Sequence, residues 1–269
     1  MKLLFSESEP DYGRYLYPYV VWAVREAAES PADLFERGFL PAAPGLDRFY
    51  LGRSLRVDLT NYRPSSENRR ILRKGKGCTA ELVPRSEFDY HEERRRSWKQ
   101  FADQRFGEDI MSFDRLDRLM HAPVIDHLLV YREASGGDEV GAALLYLEVP
   151  RMAYYYYAFY RLDRLPRNLG MFMMTTAVGL FAERGVRHLY LGTCYSERAL
   201  YKAQFAGLEF FNGNRWSKDV EELKYLVRRQ PAPGAAHLLQ DQAYLDRFWG
   251  GGWADLANSS SVALGQSPD

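Results

Sequence analysis

The chain has 269 residues, of which 46% are hydrophobic, which suits one large globular domain or two small ones. It carries 36 basic and 36 acidic side chains, so it is not basic throughout. Two cysteines, Cys78 and Cys194, are too few for a disulfide framework or a four-thiolate metal site. No apolar run reaches the ~18 residues of a membrane span, and the N-terminus does not resemble a signal peptide. We therefore expect a soluble, cytoplasmic protein with no metal site and no membrane partner.

The neutral total hides a basic segment. Residues 61–106 hold twelve Lys and Arg side chains and seven acidic ones, so this segment carries a charge of +5 and the rest of the chain −5. Such a cluster can attract a polyanion, but two solvated helical faces would explain the same charges. Charge alone leaves both interpretations open.

Elements predicted in the first part of the chain are short. The aromatic stretch 12–22 fits a strand or a short helix, and alternation predicts one strand over 48–59. Between them, Ser30 and Pro31 are typical of a helix start, and Gly38 of its end.

The basic segment is predicted to be largely helical. The expected elements are a basic helix over 64–74 ended by Gly75 and Gly77, a strand over 81–84, a charged helix over 89–106 with Trp98 and Phe101 inward, and a short helix over 113–120.

From residue 125 the predicted order is β-β-β-α-β-α-β. The elements are strands over 125–132, 140–149 and 153–160, a helix over 168–184 ended by Gly185, a strand over 186–191, a helix over 196–205, short strands over 208–211 and 214–216, and a last helix or strand over 219–229. In the third strand, the run 154–157 is four tyrosines, whose rings should alternate between the two sheet faces.

This order resembles that of the GNAT acyltransferase fold. We therefore predict an α/β protein: a GNAT-like fold with a mixed central sheet, preceded by a smaller α/β unit. The expected domains are an N-terminal unit with the basic helix over 1–122, the GNAT-like catalytic domain over 123–230, and a partly disordered tail over 231–269 in which 244–253 is a docking segment.

Four motifs in order resemble those of the arginyl-tRNA–protein transferases and their bacterial leucyl-transferring relatives. That family writes its longest motif approximately as F-[RK]-P-S-[RK]-S-Q-[RK]-[RK]-x-L-[RK]-[RK]. The matching stretches are Glu36-Arg37-Gly38-Phe39, the segment 62–74, Tyr160 followed by Asn168-Leu169-Gly170, and Tyr190-Leu191-Gly192 followed by Tyr201-Lys202-Ala203-Gln204-Phe205.

The resemblance implies an enzyme that moves an amino acid, of the Arg or Leu class, from aminoacyl-tRNA to the N-terminal α-amine of a protein or peptide. Aminoacyl-tRNA is then a co-substrate, and no other cofactor is expected. The implied catalytic residues are Tyr160 and Tyr201. The candidate substrate- or tRNA-binding residues are Arg63, Arg69, Arg70, Arg73, Lys74, Asn168, Gly170 and Lys202 within the matching motifs, and Arg161 and Arg167, which lie between Tyr160 and Asn168.

The sequence also departs from the family. Residues 1–60 contain no cysteine, whereas family members carry an N-terminal cysteine set linked to iron–sulfur or metal binding, so that cofactor is not expected here. The family's Y-D-P triplet is Tyr160-Arg161-Leu162. The loop between Gly192 and Tyr201 is two residues shorter than is usual in the family. These changes leave the choice of substrate open.

Two alternatives remain. Arg167 and Gly170 keep half of the loop that holds pyrophosphate in acyl-CoA enzymes of this fold, which favours an acetyl-CoA-dependent N-acyltransferase, although Phe172 occupies the second glycine position. The second alternative is a non-catalytic relative that binds tRNA or protein. The donor amino acid, the acceptor and the oligomeric state are not predicted.

Overall fold

The computed structural model describes residues 1–7, 12, 19–108, 110–135, 137–162, 168–229 and 241–259. The chain forms two compact units. The first comprises Met1–Leu55, Thr193–Gln204 and Leu208–Asp269, and the second comprises Arg56–Gly192 and Phe205–Gly207. The domain boundaries predicted at residues 122 and 230 follow a different division and stay a prediction.

The elements follow one another along the chain as follows. The first half contains β1 (Lys2–Glu7), β2 (Tyr19–Val24), α1 (Pro31–Glu36), β3 (Phe39–Pro41), β4 (Arg48–Leu51), β5 (Ser54–Asp58), α2 (Ser66–Lys74), β6 (Cys78–Pro84), a 3₁₀ turn (Arg85–Glu87), α3 (Glu92–Phe106) and α4 (Phe113–Met120). The second half contains β7 (His127–Glu133), β8 (Glu139–Glu148), β9 (Met152–Tyr160), α5 (Leu169–Glu183), β10 (His188–Thr193), a 3₁₀ helix (Glu197–Gln204), β11 (Leu208–Phe211), β12 (Trp216–Ser217), α6 (Val220–Arg228), α7 (Gln242–Phe248) and α8 (Trp253–Asn258).

The first unit is built on a four-stranded antiparallel sheet in the order β1-β2-β4-β3. Helix α1 begins as predicted, because the Ser30 backbone N–H donates to the Asp33 carboxylate at 2.7 Å. Its apolar residues Leu34 and Phe35 are fully buried, as is Phe49 on β4. Within the predicted tail, the Tyr244 hydroxyl of α7 donates to Glu222 of α6 at 2.6 Å, while residues 231–240 and 260–269 lie outside the described residues.

The second unit is built on a mixed sheet in which β5, β10, β9, β8, β7 and β6 are neighbours in that order. Strands β6 to β9 pair antiparallel, and β9 pairs parallel with β10. The antiparallel meander followed by α5 and a parallel strand is the order predicted for a GNAT-like fold. Helix α3 packs on the sheet through Trp98, whose ring stacks on Phe159 with the centroids 4.7 Å apart. The Tyr131 hydroxyl of β7 donates to the Met173 carbonyl of α5 at 2.6 Å.

Two local predictions were wrong, and a third, the helix over 196–205, is confirmed but of a different helical type. The single strand expected over 48–59 is two strands, because the chain turns tightly between them and the Ser54 N–H donates to the Gly52 carbonyl at 2.8 Å. The helix expected over 196–205 is a 3₁₀ helix. The rings of Tyr156 and Tyr157 do not alternate: a register shift in the β8–β9 pairing leaves their centroids 4.6 Å apart.

Candidate functional site

Helix α2, which carries the longest motif, begins with a reciprocal cap. The Ser65 hydroxyl accepts from the Asn68 N–H at 3.1 Å, and the Asn68 side-chain oxygen accepts from the Ser65 N–H at 3.1 Å. Asn68 is fully buried, and its oxygen also accepts from the Tyr62 hydroxyl at 3.4 Å. Burial raises the pKa of Tyr62 to about 12, so the phenol stays protonated as a donor. The buried cap fixes where the basic residues of α2 stand.

All five motif cations of this region are exposed, and they differ in how they are held. Arg70 donates to Glu67 at 2.7 Å, Arg69 donates to the Pro64 carbonyl at 2.7 Å, and Arg63 donates to the Tyr62 carbonyl at 3.1 Å. Within the described part of the chain, Arg73 and Lys74 make no ion pair.

The basic residues of α3 are mostly neutralised by carboxylates. Their ion pairs are Arg94 with Glu139, Arg95 with Asp117 and Glu92, Arg96 with Glu92, and Lys99 with Asp103. The Asp117 pKa is lowered because Arg95 hydrogen-bonds to its carboxylate. The excess positive charge of residues 61–106 is therefore available to a ligand chiefly on α2.

Helix α2 ends against the first turn of α5. A Cβ added to Gly75 would lie 2.2 Å from two ring carbons of Phe172, so only glycine lets the two helices approach this closely. Phe172 is almost fully buried, and its ring also packs edge-on to Tyr131. Phe172, which occupies the second glycine position of the acyl-CoA loop pattern, thus packs between α2, α5 and β7.

The same turn of α5 meets Tyr160 at the end of β9. A Cβ on Gly170 would lie 3.1 Å from the Tyr160 hydroxyl oxygen, so the phenol rests on the helix backbone there. Asn168 occupies the N-cap position with a left-handed backbone (φ 82°) and no side-chain cap, and the first turn contains no acidic residue. This helix end therefore presents N–H groups and the positive end of the helix dipole beside Tyr160.

Tyr160 and Arg161 line a cleft of about 910 Å³. The cleft lies between α3, the start of β8 and the end of β9, and the Arg161 N–H donates to the Val140 carbonyl at 2.9 Å. On the α3 side, the Phe101 ring lies 4.5 Å from the Tyr160 ring and the Arg105 guanidinium carbon lies 5.9 Å from it. Aromatic and charged groups thus surround the phenol.

Tyr201 and Lys202 belong to the first unit. Tyr201 is 46% exposed on the 3₁₀ helix. The Lys202 amine donates to the Thr193 carbonyl at 3.3 Å, and burial lowers its pKa. Burial also raises the pKa of the neighbouring Cys194 thiol. A protein carbonyl thus already accepts from Lys202, and its contact with a tRNA phosphate stays a prediction.

The structure therefore brings Tyr160 and Arg161 together with Asn168 and Gly170 at the N-terminal end of α5. Helix α2 packs against the same helix. Arg167 lies outside the described residues. Sequence reasoning missed the wall formed by α3. Its available signal was the spacing of Phe101 and Arg105, which are i and i+4 on one helix face.

The described ranges contain no cluster of three or more His, Cys, Asp or Glu side chains that could hold a metal ion. None of their helices has the length and hydrophobicity needed to cross a bilayer.

The chain is similar to several bacterial proteins named aspartate/glutamate leucyltransferase. It is 28% identical to that of Alkalilimnicola ehrlichii over 178 residues, 64% of this chain and 73% of the relative. It is 30% identical to that of Rhodospirillum rubrum over 154 residues (55% and 61%), and 24% identical to that of Ruegeria pomeroyi over 184 residues (66% and 66%). The match spans less than two thirds of the last two relatives. No protein-family model matches the chain.

Solved structures show more remote similarity. The C-terminal domain of a putative lysylphosphatidylglycerol synthetase from Agrobacterium fabrum aligns with a TM-score of 0.45 and 19% identity, over 56% of this chain and 49% of that one. A GCN5-related N-acetyltransferase from Sphaerobacter thermophilus aligns with a TM-score of 0.37 and 16% identity, over 59% and 49%. The sequence relatives agree with the resemblance drawn from the motifs, and the chain is a distant homologue of the aspartate/glutamate leucyltransferases.

Proposed function

We propose that this protein transfers an aminoacyl group, leucyl in the first place, from aminoacyl-tRNA to the N-terminal α-amine of a protein. One observation carries the proposal. The basic helix α2 reaches the first turn of α5 at Gly75 and Phe172, and Tyr160 reaches the same turn at Gly170. Helix α2, which carries one motif, and Tyr160, which belongs to another, therefore both lie against the same end of α5.

The reaction needs little covalent help from the enzyme, because the aminoacyl ester is already activated. The acceptor amine attacks the ester carbonyl, a tetrahedral oxyanion forms, and the ester C–O bond breaks to give an amide. One proton leaves the amine and one reaches the departing ribose hydroxyl. Positioning, proton transfer and oxyanion stabilisation are therefore the tasks of the protein.

Tyr160 suits two of those tasks. Its hydroxyl lies on the first turn of α5, where backbone N–H groups and the helix dipole favour negative charge. From there, the phenol can donate a hydrogen bond to the oxyanion or pass a proton to the departing ribose oxygen. The adjoining cleft, at about 910 Å³, has room for the aminoacyl group and an extended acceptor N-terminus.

Helix α2 suits contact with the tRNA backbone. Arg73 and Lys74 are exposed near its C-terminal end, one or two residues before Gly75 meets α5. Cations without a carboxylate partner can neutralise phosphates at little cost. RNA held on α2 would therefore have its acceptor end directed toward α5.

The leucyl donor is the finer part of the proposal. Two observations support it: the relatives are named leucyltransferases, and the wall beside Tyr160 is aromatic. Phe101 lies 4.5 Å from Tyr160, and Phe106 meets Phe101 edge-on at 5.8 Å. An aliphatic side chain can pack on these rings, whereas an arginyl guanidinium beside Tyr160 would meet the like charge of Arg105, whose guanidinium carbon lies 5.9 Å from the Tyr160 ring.

The direct test offers the purified protein Leu-tRNA or Arg-tRNA with a peptide that begins with Asp. We expect leucyl transfer to the peptide, and we expect Tyr160→Phe to lower kcat by at least ~10-fold because the hydroxyl is lost while the ring is kept. Tyr157→Phe, on the same strand, is the matched control and should retain full activity. Transfer from neither tRNA, at any peptide N-terminus, would refute the proposal.

RNA binding is tested separately. The double variant Arg73→Ala/Lys74→Ala should weaken tRNA binding and reduce the slope of log K against log salt by ~1.5, since each phosphate contact contributes about 0.7–0.9. Arg118→Ala on α4 is the control for a loss of surface charge. Tight tRNA binding without transfer would favour the non-catalytic relative, and acetyl-CoA binding by calorimetry would favour the N-acyltransferase.

A further inference from the structure

The four-stranded sheet of the first unit has an apolar surface at its β1 end. On one face of this sheet, Ala23 of β2 lies opposite Phe49 of β4, and both side chains are fully buried. The neighbouring residues of each strand point to the other face. There, Leu4 of β1 lies opposite Trp22 of β2, and the two side chains are 51% and 38% exposed. Val20, two residues before Trp22, is 52% exposed. We call Leu4, Val20 and Trp22 the outer apolar surface.

Strand β1 is also an edge of the same sheet. It pairs antiparallel with β2 on one side, and no strand among the described residues pairs with its other side. Alternate residues of β1 therefore direct their backbone N–H and C=O groups away from the sheet. The usual protection of an edge is missing, because the segment Leu3-Leu4-Phe5-Ser6 has neither a proline nor a charge and its pairing with β2 has no bulge. An edge of this kind, beside an apolar surface, is suited to pairing with another strand.

We infer that β1 pairs antiparallel with β1 of a second copy of this chain, across a twofold axis perpendicular to the sheet. The two four-stranded sheets then form one sheet of eight strands, and both outer apolar surfaces lie on the same side of it. Because residues directly opposite each other in a sheet point to the same side, only registers that pair residues from the same face are allowed. This inference does not depend on the proposed function.

Charge and hydrophobicity together select one of these registers. When Leu4 lies opposite Leu4 of the second copy, the row formed by Trp22 and Leu4 continues without interruption into the same row of that copy. Lys2, which is exposed, then lies opposite Ser6 of the second copy, and the two lysines are four residues apart, about 14 Å along the strands. An axis one residue earlier would bring the lysines to about 7 Å, where like charges repel. An axis one residue later would place Leu4 opposite Ser6 and interrupt the apolar row.

The association is tested by sedimentation velocity over a range of protein concentrations. One strand pair and one apolar row make a small interface, so we expect a reversible dimer with a Kd on the order of 1–100 μM. Leu4→Lys should raise that Kd by at least ~10-fold, since it removes an apolar contact on the axis and sets two like charges opposite each other. Val20→Lys is the matched control, because Val20 is as exposed as Leu4 but lies on β2, and it should change the Kd by less than about threefold.

A disulfide trap tests the register itself. Directly opposite residues of an antiparallel pair have Cα atoms about 4.5–5.5 Å apart, within the range of a disulfide. Leu4→Cys should therefore form a covalent dimer under mild oxidation. Val20→Cys should not, because the two β2 strands lie three strand spacings apart, at least about 14 Å. Wild type gives the background from Cys78 and Cys194.

Three results would overturn the inference. Wild type that stays monomeric well above the expected Kd would show that β1 does not pair with a second copy, and that the outer apolar surface fits another partner. Cross-linking of Leu4→Cys no faster than that of Val20→Cys would exclude the register. A dimer that Leu4→Lys leaves intact would place the interface elsewhere. Denaturant unfolding shows whether Leu4→Lys is folded, and if it is not, the comparison of the two cysteine variants decides.

Discussion

Gly170 is the position where one methyl group would disturb the candidate site most directly. Its Cβ would lie 3.1 Å from the Tyr160 hydroxyl oxygen and 3.2 and 3.3 Å from two ring carbons. The backbone of Gly170 is not left-handed, so alanine is accommodated by the helix itself. Gly170→Ala therefore tests the contact with Tyr160 rather than the fold of α5.

The expected effect on stability is small because two terms oppose each other. Alanine is favoured over glycine in a helix by up to ~1 kcal/mol, and by less in the first turn. The new methyl is about 0.3 Å closer to the phenol than comfortable contact, so the ring must shift, which offsets the gain. We expect the free energy of unfolding to change by less than ~1 kcal/mol. Gly179→Ala, with open space on the same helix, should stabilise by ~0.5–1 kcal/mol.

The expected effect on transfer is larger. A misplacement of 1 Å can cost about a hundredfold, so a shift of a few tenths should lower kcat by roughly three- to tenfold. The assay is single-turnover transfer of leucine from Leu-tRNA to a peptide, with tRNA binding and denaturant unfolding measured in parallel. Gly179→Ala should transfer at the wild-type rate. Full activity in Gly170→Ala would show that the position of Tyr160 does not limit the chemistry.

Three further outcomes are expected. Gly75→Ala should destabilise the protein by ~1–3 kcal/mol in denaturant unfolding, because its methyl would overlap the Phe172 ring. Glu139→Gln should cost ~1–2 kcal/mol, since it leaves the largely buried Arg94 guanidinium without its charged partner. Burial lowers the pKa of Lys202 in the folded protein below its usual 10.5. Between the folded and the unfolded pKa the unfolded chain binds more protons, so the free energy of unfolding should rise with pH. Lys202→Met should flatten that rise.

Each of these outcomes has its own control. Gly77→Ala introduces a methyl into open space two residues away, and a loss as large as that of Gly75→Ala would contradict the packing argument. For Glu139, a double-mutant cycle with Arg94→Met should show energetic coupling between the two side chains. Additive losses of stability would show that they are not coupled. For Lys202, stability profiles that run parallel in wild type and variant up to pH 10.5 would show that its amine is not perturbed.

Local signals were enough to predict much of the second unit. Helix α2 runs over Ser66–Lys74, within the predicted range 64–74, and ends at Gly75 as predicted, because a terminal glycine acts within one turn. Helix α4 has the predicted bounds, and the meander β7–β9 follows the predicted order. The family resemblance puts Tyr160 and Gly170 in one motif, and in the structure a Cβ on Gly170 would lie 3.1 Å from the Tyr160 hydroxyl oxygen.

Features that depend on distant partners were not predicted. The charges of α3 look like a basic face in sequence, but the partners of Arg94 and Arg95 are Glu139 and Asp117, 45 and 22 residues away. The β9 irregularity that brings Tyr156 beside Tyr157 depends on pairing with β8. The role of α3 as a cleft wall likewise follows from its packing on β9, which its own periodicity does not specify.

The two glycine contacts hold both α2 and Tyr160 against the first turn of α5. Gly75 lets α2 approach the Phe172 ring of α5. Gly170, two residues before Phe172 and about 3 Å from it along the helix axis, lets the Tyr160 phenol lie against the backbone of α5. A side chain at either place would move the basic helix or the phenol away from the first turn of α5. In the proposed reaction the ester arrives already activated on an RNA, so the fold must supply the relative position of the proposed RNA-binding cations and the proposed proton donor. Close backbone packing fixes that position more rigidly than flexible side chains would, so we expect changes at these two glycines to alter the rate more than changes at any single exposed arginine of α2.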